Sequence, residues 1–304
     1  MRCERGRSSR TESIDDMLTR QQRDDFEAQG LVRLRGVFSK AEAAAMEDQI
    51  WNALRHKHGM ARDDPSPWKM PPGASAVDAR LRGPGEVPLR DQPVFTPIGG
   101  PALLAALDDL IGPGRWEVPR QWGQFLLTFP TPKGSSWSRA HWHTDFSYLP
   151  GQYPLEGALV ISFIGDVPRG NGGTLVLAGS HRLMAPLMES NPKASEQIVL
   201  PALLQADPWL KSLCCDWTLE DWTTRLPTRE HKINGNALRV IKLDGEAGDV
   251  VVGQPWLVHS AVPNRGDRPR FMRVARIRAT PPSFGDDSAP HNNALQPTPE
   301  DGRG

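Results

Sequence analysis

Glycine and proline punctuate this chain throughout, with 28 glycines and 29 prolines among 304 residues. Together they make up about 19% of the chain, against about 12% in an average protein. Because both residue types interrupt helices, this composition favours short strands and long loops over a helical bundle. Apolar residues make up 38% and charged residues 24%. That balance allows a sizeable core and excludes a disordered chain.

Charge and terminal segments exclude several classes of protein. Lys plus Arg and Asp plus Glu both number 36, which argues against a polybasic nucleic-acid binder. The chain has no apolar run long enough to span a membrane, and its first residues lack the apolar core of a secretory signal. The three cysteines form no C-x-x-C motif, so no disulfide framework is expected. We expect a cytoplasmic monomer or homodimer that binds neither nucleic acid nor membrane.

The N-terminal part predicts helix, strand and helix in turn. A short helical pattern covers residues 21–29 and ends at Gly30, a residue favoured at helix C-termini. Residues 31–38 alternate apolar and basic side chains, as a half-buried strand does. Ser39 is a predicted N-cap with Glu42 as its capping-box partner, and it begins the second helix.

Beyond this region the pattern changes to short strands. Residues 61–98 have no period and predict a long loop, and a helix is predicted over 101–111. Residues 183–234 interrupt the strands with helical, Trp-containing pieces that we expect to form a lid. The predicted strands are 121–129, 157–165, 174–178, 237–243, 249–253, 255–260 and 271–279.

This order of elements predicts a mainly β, α+β protein, a β-sandwich or jelly roll with a small helical cap. We expect a single domain over residues 21–280. A loose tail is predicted at 1–20 and a second at 281–304, because both segments are polar and aperiodic.

The segment HWHTDFSYLP contains the pair His143 and Asp145. On a strand, residues i and i+2 point to one face, so the imidazole and the carboxylate would project together. A third ligand must come from another strand, and His259 is the best candidate. Two histidines and one carboxylate on one face of a metal leave the opposite positions open, as Fe(II) oxygenases require. Taken alone, the pair is more typical of a structural Asp–His hydrogen bond at a strand end.

Arg270 is the candidate that would bind an anionic group near the same metal. A hairpin centred at Arg265 would pair His259 with Phe271 and bring Arg270 beside it. A guanidinium there can hold a carboxylate through two charge-assisted hydrogen bonds. The alternative interpretation is one more exposed basic residue in an arginine-rich strand.

Together these motifs resemble the phytanoyl-CoA dioxygenase-like family of Fe(II)/2-oxoglutarate oxygenases. The resemblance covers most of residues 22–279. FEAQGLVRLRGVFSKAEAA is similar to the family's opening helix–strand–helix, and HTDFSYLP to its His-x-Asp segment. DVPRGNGGTLVLAGSHR is similar to its Asn-Gly-x-Thr and Gly-Ser-His stretch. HSAVPNRGDRPR resembles its distal histidine with an arginine eleven residues later.

The resemblance implies a double-stranded β-helix, the cupin-like form of a jelly roll, with N-terminal helices and a helical insertion. His143, Asp145 and His259 match the family's iron ligands. Arg270 matches the residue that binds the distal carboxylate of 2-oxoglutarate, and Thr174 is a second candidate for contact with this cosubstrate. The implied activity is hydroxylation of a small molecule with release of succinate and CO2. The carboxylate ligand weighs against the halogenating relatives, in which a small residue replaces it.

Several features depart from the family pattern or allow alternatives. Many members carry Ser two residues after the distal histidine, where this chain has Ala261, and Ser260 would point to the other face of a strand. His181 is interpreted as structural. His141 allows a cupin-type metal site that needs no 2-oxoglutarate. A non-catalytic barrel, and an interaction module built on residues 183–234, are the further alternatives.

Overall fold

Among the described residues, helical segments precede most of the strands, and three further helices lie between the fifth and sixth strands. The computed structural model describes residues 18–66, 68, 76–77, 89–131, 141–145, 156–168, 173–191, 193, 195–214 and 230–280. The helices are α1 (Arg20–Gln29), α2 (Lys40–His58), α3 (Pro101–Ile111), α4 (His181–Ser190), α5 (Glu196–Ala206) and α6 (Pro208–Ser212), with 3-10 turns at Leu89–Asp91 and Pro93–Gly99. The strands are β1 (Leu31–Leu34), β2 (Ala76–Val77), β3 (Gln124–Thr128), β4 (Gly157–Phe163), β5 (Thr174–Ala178), β6 (His231–Ile233), β7 (Asn236–Lys242), β8 (Val250–Gly253), β9 (His259–Ala261) and β10 (Arg270–Arg278).

Local sequence signals set the ends of the first two helices. Ser39 accepts a hydrogen bond from the Glu42 backbone and Glu42 binds back to Ser39, which confirms the predicted capping box. Gly30 ends α1 in the left-handed conformation, with φ of 81°. A side chain at Gly30 would collide with His181, so this glycine also lets α1 pack closely against the start of α4.

The strands form two antiparallel sheets. The larger sheet has the order β1-β8-β4-β10-β3-β2 and the smaller has the order β6-β7-β5-β9. Strand β10 lies in the middle of the larger sheet, where Arg270 is opposite Thr128 of β3 and Met272 is opposite Phe163 of β4. The structure therefore confirms the predicted mixture of helices and antiparallel sheet.

Alternate residues of β10 face two separate cores. Phe271, Ala275 and Ile277 belong to the outer core, which the larger sheet forms with α2, α3 and the 3-10 turns. Met272 and Val274 belong to the inner core, which lies between the sheets and includes buried leucines of α5 and α6. Even-numbered positions of β10 therefore point inward and odd-numbered positions point outward.

Several sequence predictions need correction. Strand β9 pairs with β5, and β10 pairs with β3 and β4, so the predicted hairpin between His259 and Phe271 is wrong. The described part of the predicted 61–98 loop contains both 3-10 turns, and Phe95 and Ile98 are buried in the outer core. The predicted strand 255–260 is reduced to β9, and the predicted strand 31–38 to β1. Strands β2 and β6 were not predicted.

The domain boundaries stay predictions, because residues 1–17 and 281–304 lie outside the described residues. In the described part of the chain, no single helix is long and apolar enough to cross a membrane. The 3-10 turn Pro93–Gly99 and α3 reach that threshold only as a bent pair, and apolar side chains of both are buried in the outer core.

Candidate metal centre

Three predicted ligands meet at one end of the inner core. One ligand atom each from His143, Asp145 and His259 lies within 4.8 Å of the other two. The two imidazole rings are 4.4 Å apart between centroids. The Nε2 atom of His259 is 3.4 Å from Oδ2 of Asp145, and Nε2 of His143 is 4.0 Å from Oδ1. This spacing can accommodate one divalent transition-metal ion.

Backbone pairing brings the two histidines together. The amide N–H of His143 donates to the carbonyl of His259, and the reverse bond has the same length of 2.9 Å. Within residues 141–145, the described part of this segment, His143 forms this bridge and the structure assigns no longer strand. The i, i+2 spacing nevertheless brings Asp145 to the same side as His143.

Each imidazole is oriented by a carbonyl two residues earlier in the chain. His143 donates from Nδ1 to the carbonyl of His141 at 2.8 Å, and His259 donates from Nδ1 to the carbonyl of Leu257 at 2.9 Å. A carbonyl can only accept, so both rings carry a proton on Nδ1, and Nε2 is the ring nitrogen that faces Asp145. Metal-bound histidines are oriented by bonds of this kind.

The electrostatics of the centre favour a cation. Burial, followed by repulsion from His259, lowers the pKa of His143, so its imidazole is neutral at neutral pH. Burial alone would raise the pKa of Asp145, but the hydrogen bond and charge of His259, with those of Arg276, hold it well below its usual range. The centre therefore offers two imidazole nitrogens and one carboxylate, a donor set that suits iron.

Arg270 lies beside the chain that leaves β9. Its Nη2 donates to the carbonyl of Val262 at 2.8 Å, and only 4% of the residue is exposed. Its Nε and Nη1 are buried and have no hydrogen-bond partner among the described residues. Burial lowers its pKa to about 10, so the group stays charged at neutral pH. A buried cation with unused donors is costly unless an anion binds there.

Thr174 lies directly opposite Ala261 where β5 pairs with β9. Residues opposite one another on antiparallel strands share a face, and Ala261 shares the face of His259, two residues earlier. Thr174 therefore points toward the centre from the strand beside β9. Ser260 lies opposite Leu175, and its hydroxyl donates to the carbonyl of Ala261 at 3.1 Å.

The remaining histidines of the sequence motifs lie apart from the centre. His141 is exposed, with its ring centroid 5.6 Å from that of His143, and is absent from the converging group found among the described residues. His181 begins α4, and its Nε2 donates to the carbonyl of Glu27 at 3.0 Å. That bond ties α4 to α1, which is a structural contact.

Leu213, in the described part of the insertion, contacts Trp142, the residue next to the candidate ligand His143. The indole N–H of Trp142, adjacent to His143, donates to the carbonyl of Leu213 at 3.0 Å. Leu213 follows α6 and belongs to the inner core. The contact connects residues 183–234 to the chain segment that carries two of the three candidate ligands.

Sequence analysis missed one residue of the centre. Arg276 belongs to the arginine-rich strand β10 and was not singled out from the sequence, yet its Nη2 is 2.7 Å from Oδ1 of Asp145. Period-two spacing could have found it, because Arg276 shares the inward face of Arg270 on the same strand.

A cavity of about 550 Å³ lies elsewhere, on the outer side of the larger sheet. Its lining includes Trp51, Trp68 and Phe271, with both acidic and basic side chains around them, and contains none of the three candidate ligands. This cavity is therefore separate from the candidate metal centre.

Comparisons with known proteins give the family. The family model for phytanoyl-CoA dioxygenase (PhyH) matches residues 26–272. No significant match is found among curated protein sequences.

Solved structures similar to this chain have low sequence identity to it. The non-heme alpha ketoglutarate dependent carbocyclase SnoK from nogalamycin biosynthesis is 17% identical, with a TM-score of 0.49, and the match covers 86% of this chain and 84% of SnoK. HygX from Streptomyces hygroscopicus, with nickel and 2-oxoglutarate bound, is 14% identical, with a TM-score of 0.49 and 88% of each chain covered. EvdO2 from Micromonospora carbonacea var. aurantiaca is 16% identical, with a TM-score of 0.48, covering 89% of this chain and 94% of its own.

The family match extends over most of the chain and includes both histidines and the carboxylate of the centre as well as Arg270. It confirms the family predicted from the motifs. The predicted cofactors, Fe(II) and 2-oxoglutarate, agree with the family and with the donor set. This chain belongs to the phytanoyl-CoA dioxygenase family.

Proposed function

We propose that this protein is an Fe(II)- and 2-oxoglutarate-dependent oxygenase that hydroxylates an unactivated C–H bond of a small molecule. The observation that carries the proposal is the convergence of His143, Asp145 and His259, combined with the unpartnered donors of Arg270. In this proposal the three converging residues hold the iron and Arg270 binds the far carboxylate of 2-oxoglutarate.

The path of the strands supports a double-stranded β-helix. From β3 onward the chain passes between the larger and smaller sheets several times, and the bridge between His143 and His259 extends the smaller sheet beyond β9. Such alternation encloses a space between two sheets, with interior side chains from both. The proposed centre lies in that space.

The distance along the chain suits the cosubstrate. Arg270 contacts the carbonyl of Val262, three residues after His259. Three residues of extended chain span about 10 Å. A five-carbon dicarboxylate fits between a metal at His259 and a guanidinium at that distance, with one end chelating and the other on Arg270.

Thr174 is the group that compensates for Ala261 in this proposal. The family's usual serine hydroxyl is absent from β9, but the threonine directly across the strand pair has one. A hydroxyl at this neighbouring position can donate to the same carboxylate as Arg270. The two side chains would then bind the cosubstrate from different strands.

Bound Fe(II) supplies the redox chemistry, in which one O2 oxidises substrate and 2-oxoglutarate together to hydroxylated product, succinate and CO2. The chain's own residues bind and orient the reactants. His143 and His259 keep fixed ring directions through their Nδ1–H bonds, and Arg270 sets the direction of the cosubstrate. Trp142 and the buried leucines of the inner core exclude water from one side of the centre.

The test is anaerobic addition of Fe(II) and 2-oxoglutarate to the purified full chain. We expect a weak visible charge-transfer band, and succinate on admission of O2. Glutarate, which lacks the keto group, is the matched control and should give neither signal. Absence of both signals with 2-oxoglutarate would contradict the proposal and favour a barrel that only binds metal. A panel of small molecules screened by succinate release then identifies the substrate class.

A further inference from the structure

The two oxygens of Asp145 face different partners. Oδ1 accepts a hydrogen bond from Nη2 of Arg276 at 2.7 Å, and Oδ2 lies 3.4 Å from Nε2 of His259. Only 12% of the Asp145 side chain is exposed, against 33% of the Arg276 side chain. The carboxylate is therefore held in one orientation, with Oδ1 bonded to the arginine and 4.0 Å from Nε2 of His143, and with Oδ2 toward His259.

The backbone that carries Arg276 is firmly fixed. Arg276 lies opposite Leu159, within a continuous pairing of β10 with β4 that extends from Met272 to Arg278. Six residues of strand separate it from Arg270, a span of about 20 Å on the same inward face. Arg270 lies at the buried end of that face and Arg276 at its exposed end. The two arginines thus approach the centre from opposite ends of one strand.

We propose that Arg276 is a positioning residue, which holds Oδ1 of Asp145 so that Oδ2 alone faces the metal. The inference rests on the proposed function. A carboxylate can bind a metal through one oxygen or through both. Two histidines and a one-oxygen carboxylate leave three of six positions open, enough for a two-point cosubstrate and one further ligand. A carboxylate bound through both oxygens would occupy one of those positions.

A simple surface ion pair is the competing explanation, and such pairs contribute little to stability. The burial of Asp145 distinguishes this pair from that class. The hydrogen bond to Arg276 also determines which oxygen stays available. Outer partners of metal ligands with this role typically change metal affinity about 10- to 100-fold when removed.

The experiment titrates Ni(II), a redox-inactive probe, into the metal-free full chain and follows tryptophan fluorescence or heat. Arg276→Met should raise the dissociation constant for Ni(II) about 10- to 100-fold. Arg276→Lys should recover part of the loss, because an ammonium can donate one bond but lacks the planar fork. Arg278→Met is the matched control, since it removes a positive charge from the same strand and face, and should stay within about twofold of wild type.

A double-mutant cycle tests whether Arg276 affects Ni(II) affinity by holding the Asp145 carboxylate or only by its positive charge near the metal. In an Asp145→Asn background, Arg276→Met should change Ni(II) affinity less than about twofold, because the carboxylate on which the arginine acts is gone. Thermal unfolding of the metal-free variants checks that each is folded. Unchanged or tighter Ni(II) binding by folded Arg276→Met would overturn the inference, as would an equal effect in both backgrounds. Failure of the wild-type chain to bind Ni(II) would instead contradict the proposed function.

Discussion

Strand β10 carries one buried arginine on each face, and the two arginines have different surroundings. Arg273 points into the outer core, where its guanidinium lies over Phe95 and Phe125 at 4.8 and 4.5 Å and donates to the carbonyl of Gly123 at 2.7 Å. Arg270 points inward, donates to one carbonyl, and has Nε and Nη1 without a partner among the described residues. Both are almost fully buried.

This difference separates a structural cation from a binding cation. Aromatic faces stabilise the charge of Arg273 within the fold itself. Among the described residues no aromatic ring lies over Arg270, so its site is electrostatically incomplete, because a buried charge needs a compensating group. The incomplete arginine is the one on the face that holds the candidate metal centre. We therefore expect substitutions on the inward face to alter ligand binding, and substitutions on the outward face to alter stability.

The largest expected effect comes from removing the carboxylate of the inward centre. Asp145→Ala should reduce 2-oxoglutarate turnover to below about one hundredth, more than the loss of an outer partner usually costs. His141→Ala is the control, because His141 lies outside the converging group, and it should keep most activity. Succinate release measured on both variants checks this. Activity that survives Asp145→Ala but not His141→Ala would favour a cupin-type site.

Arg270→Met tests the incomplete cation directly. Removing one partner of a buried charge pair costs about 2–5 kcal/mol, so the KM for 2-oxoglutarate should rise about 30-fold or more. The unfolding free energy of the metal-free chain should change by less than about 1 kcal/mol, because the loss of the bond to the Val262 carbonyl is offset by the removal of a buried charge that lacks a counter-ion. An unchanged KM would remove Arg270 from the cosubstrate site.

Arg273→Met is the outward counterpart and should show the opposite pattern. The loss of the contacts with Phe95 and Phe125, together with the bond to the Gly123 carbonyl, should lower the unfolding free energy by about 1–3 kcal/mol. The KM for 2-oxoglutarate per folded molecule should stay within about twofold of wild type. Denaturant unfolding and steady-state kinetics measure the two quantities. A raised KM with unchanged stability would contradict the claim that the outward face of β10 serves stability and the inward face serves ligand binding.

A smaller effect is expected from Thr174→Val, which removes one neutral hydroxyl from the inward face. One such hydrogen bond contributes about 0.5–1.5 kcal/mol, so the KM for 2-oxoglutarate should rise about 2- to 10-fold. Ser260→Ala is the matched control, because its hydroxyl already donates to a backbone carbonyl, and its KM should stay near wild type. Equal effects of the two substitutions would contradict the role proposed for Thr174.

The smallest expected effect is at the capping box of α2, far from either arginine. Ser39→Ala should lower the unfolding free energy by about 1 kcal/mol, because it leaves a helix N-terminal amide without its acceptor. The KM and turnover should be unchanged. Thermal unfolding provides the measurement, and a changed KM would show that the outer scaffold is coupled to the centre.

Local signals in the sequence predicted the parts of the fold that neighbouring residues decide. The capping box of Ser39 and Glu42, the end of α1 at Gly30 and the strand at Thr174–Ala178 all depend on residues close in the chain. The candidate ligands were also predictable, because a His-x-Asp pair and a distal histidine are defined by residue type and spacing.

Long-range strand pairing could not be predicted in the same way. A turn between His259 and Arg270 suggests a hairpin, and alternation of apolar residues does not specify which strand lies beside which. The structure places β9 and β10 in different sheets, and Arg270 contacts the carbonyl of Val262 just after β9 rather than pairing with His259 along a ladder. The pairing of Arg276 with Asp145 likewise depends on that packing, since 131 residues separate them.

The central claim is that a metal and a dicarboxylate occupy the inward face of β10 together. A crystal structure of the full chain with Ni(II) and 2-oxoglutarate tests this most directly. The account predicts an anomalous peak bonded to Nε2 of His143, a carboxylate oxygen of Asp145 and Nε2 of His259, with the far carboxylate of 2-oxoglutarate on Nε and Nη1 of Arg270. A metal bound elsewhere, or a cosubstrate that leaves Arg270 without an anion, would contradict it.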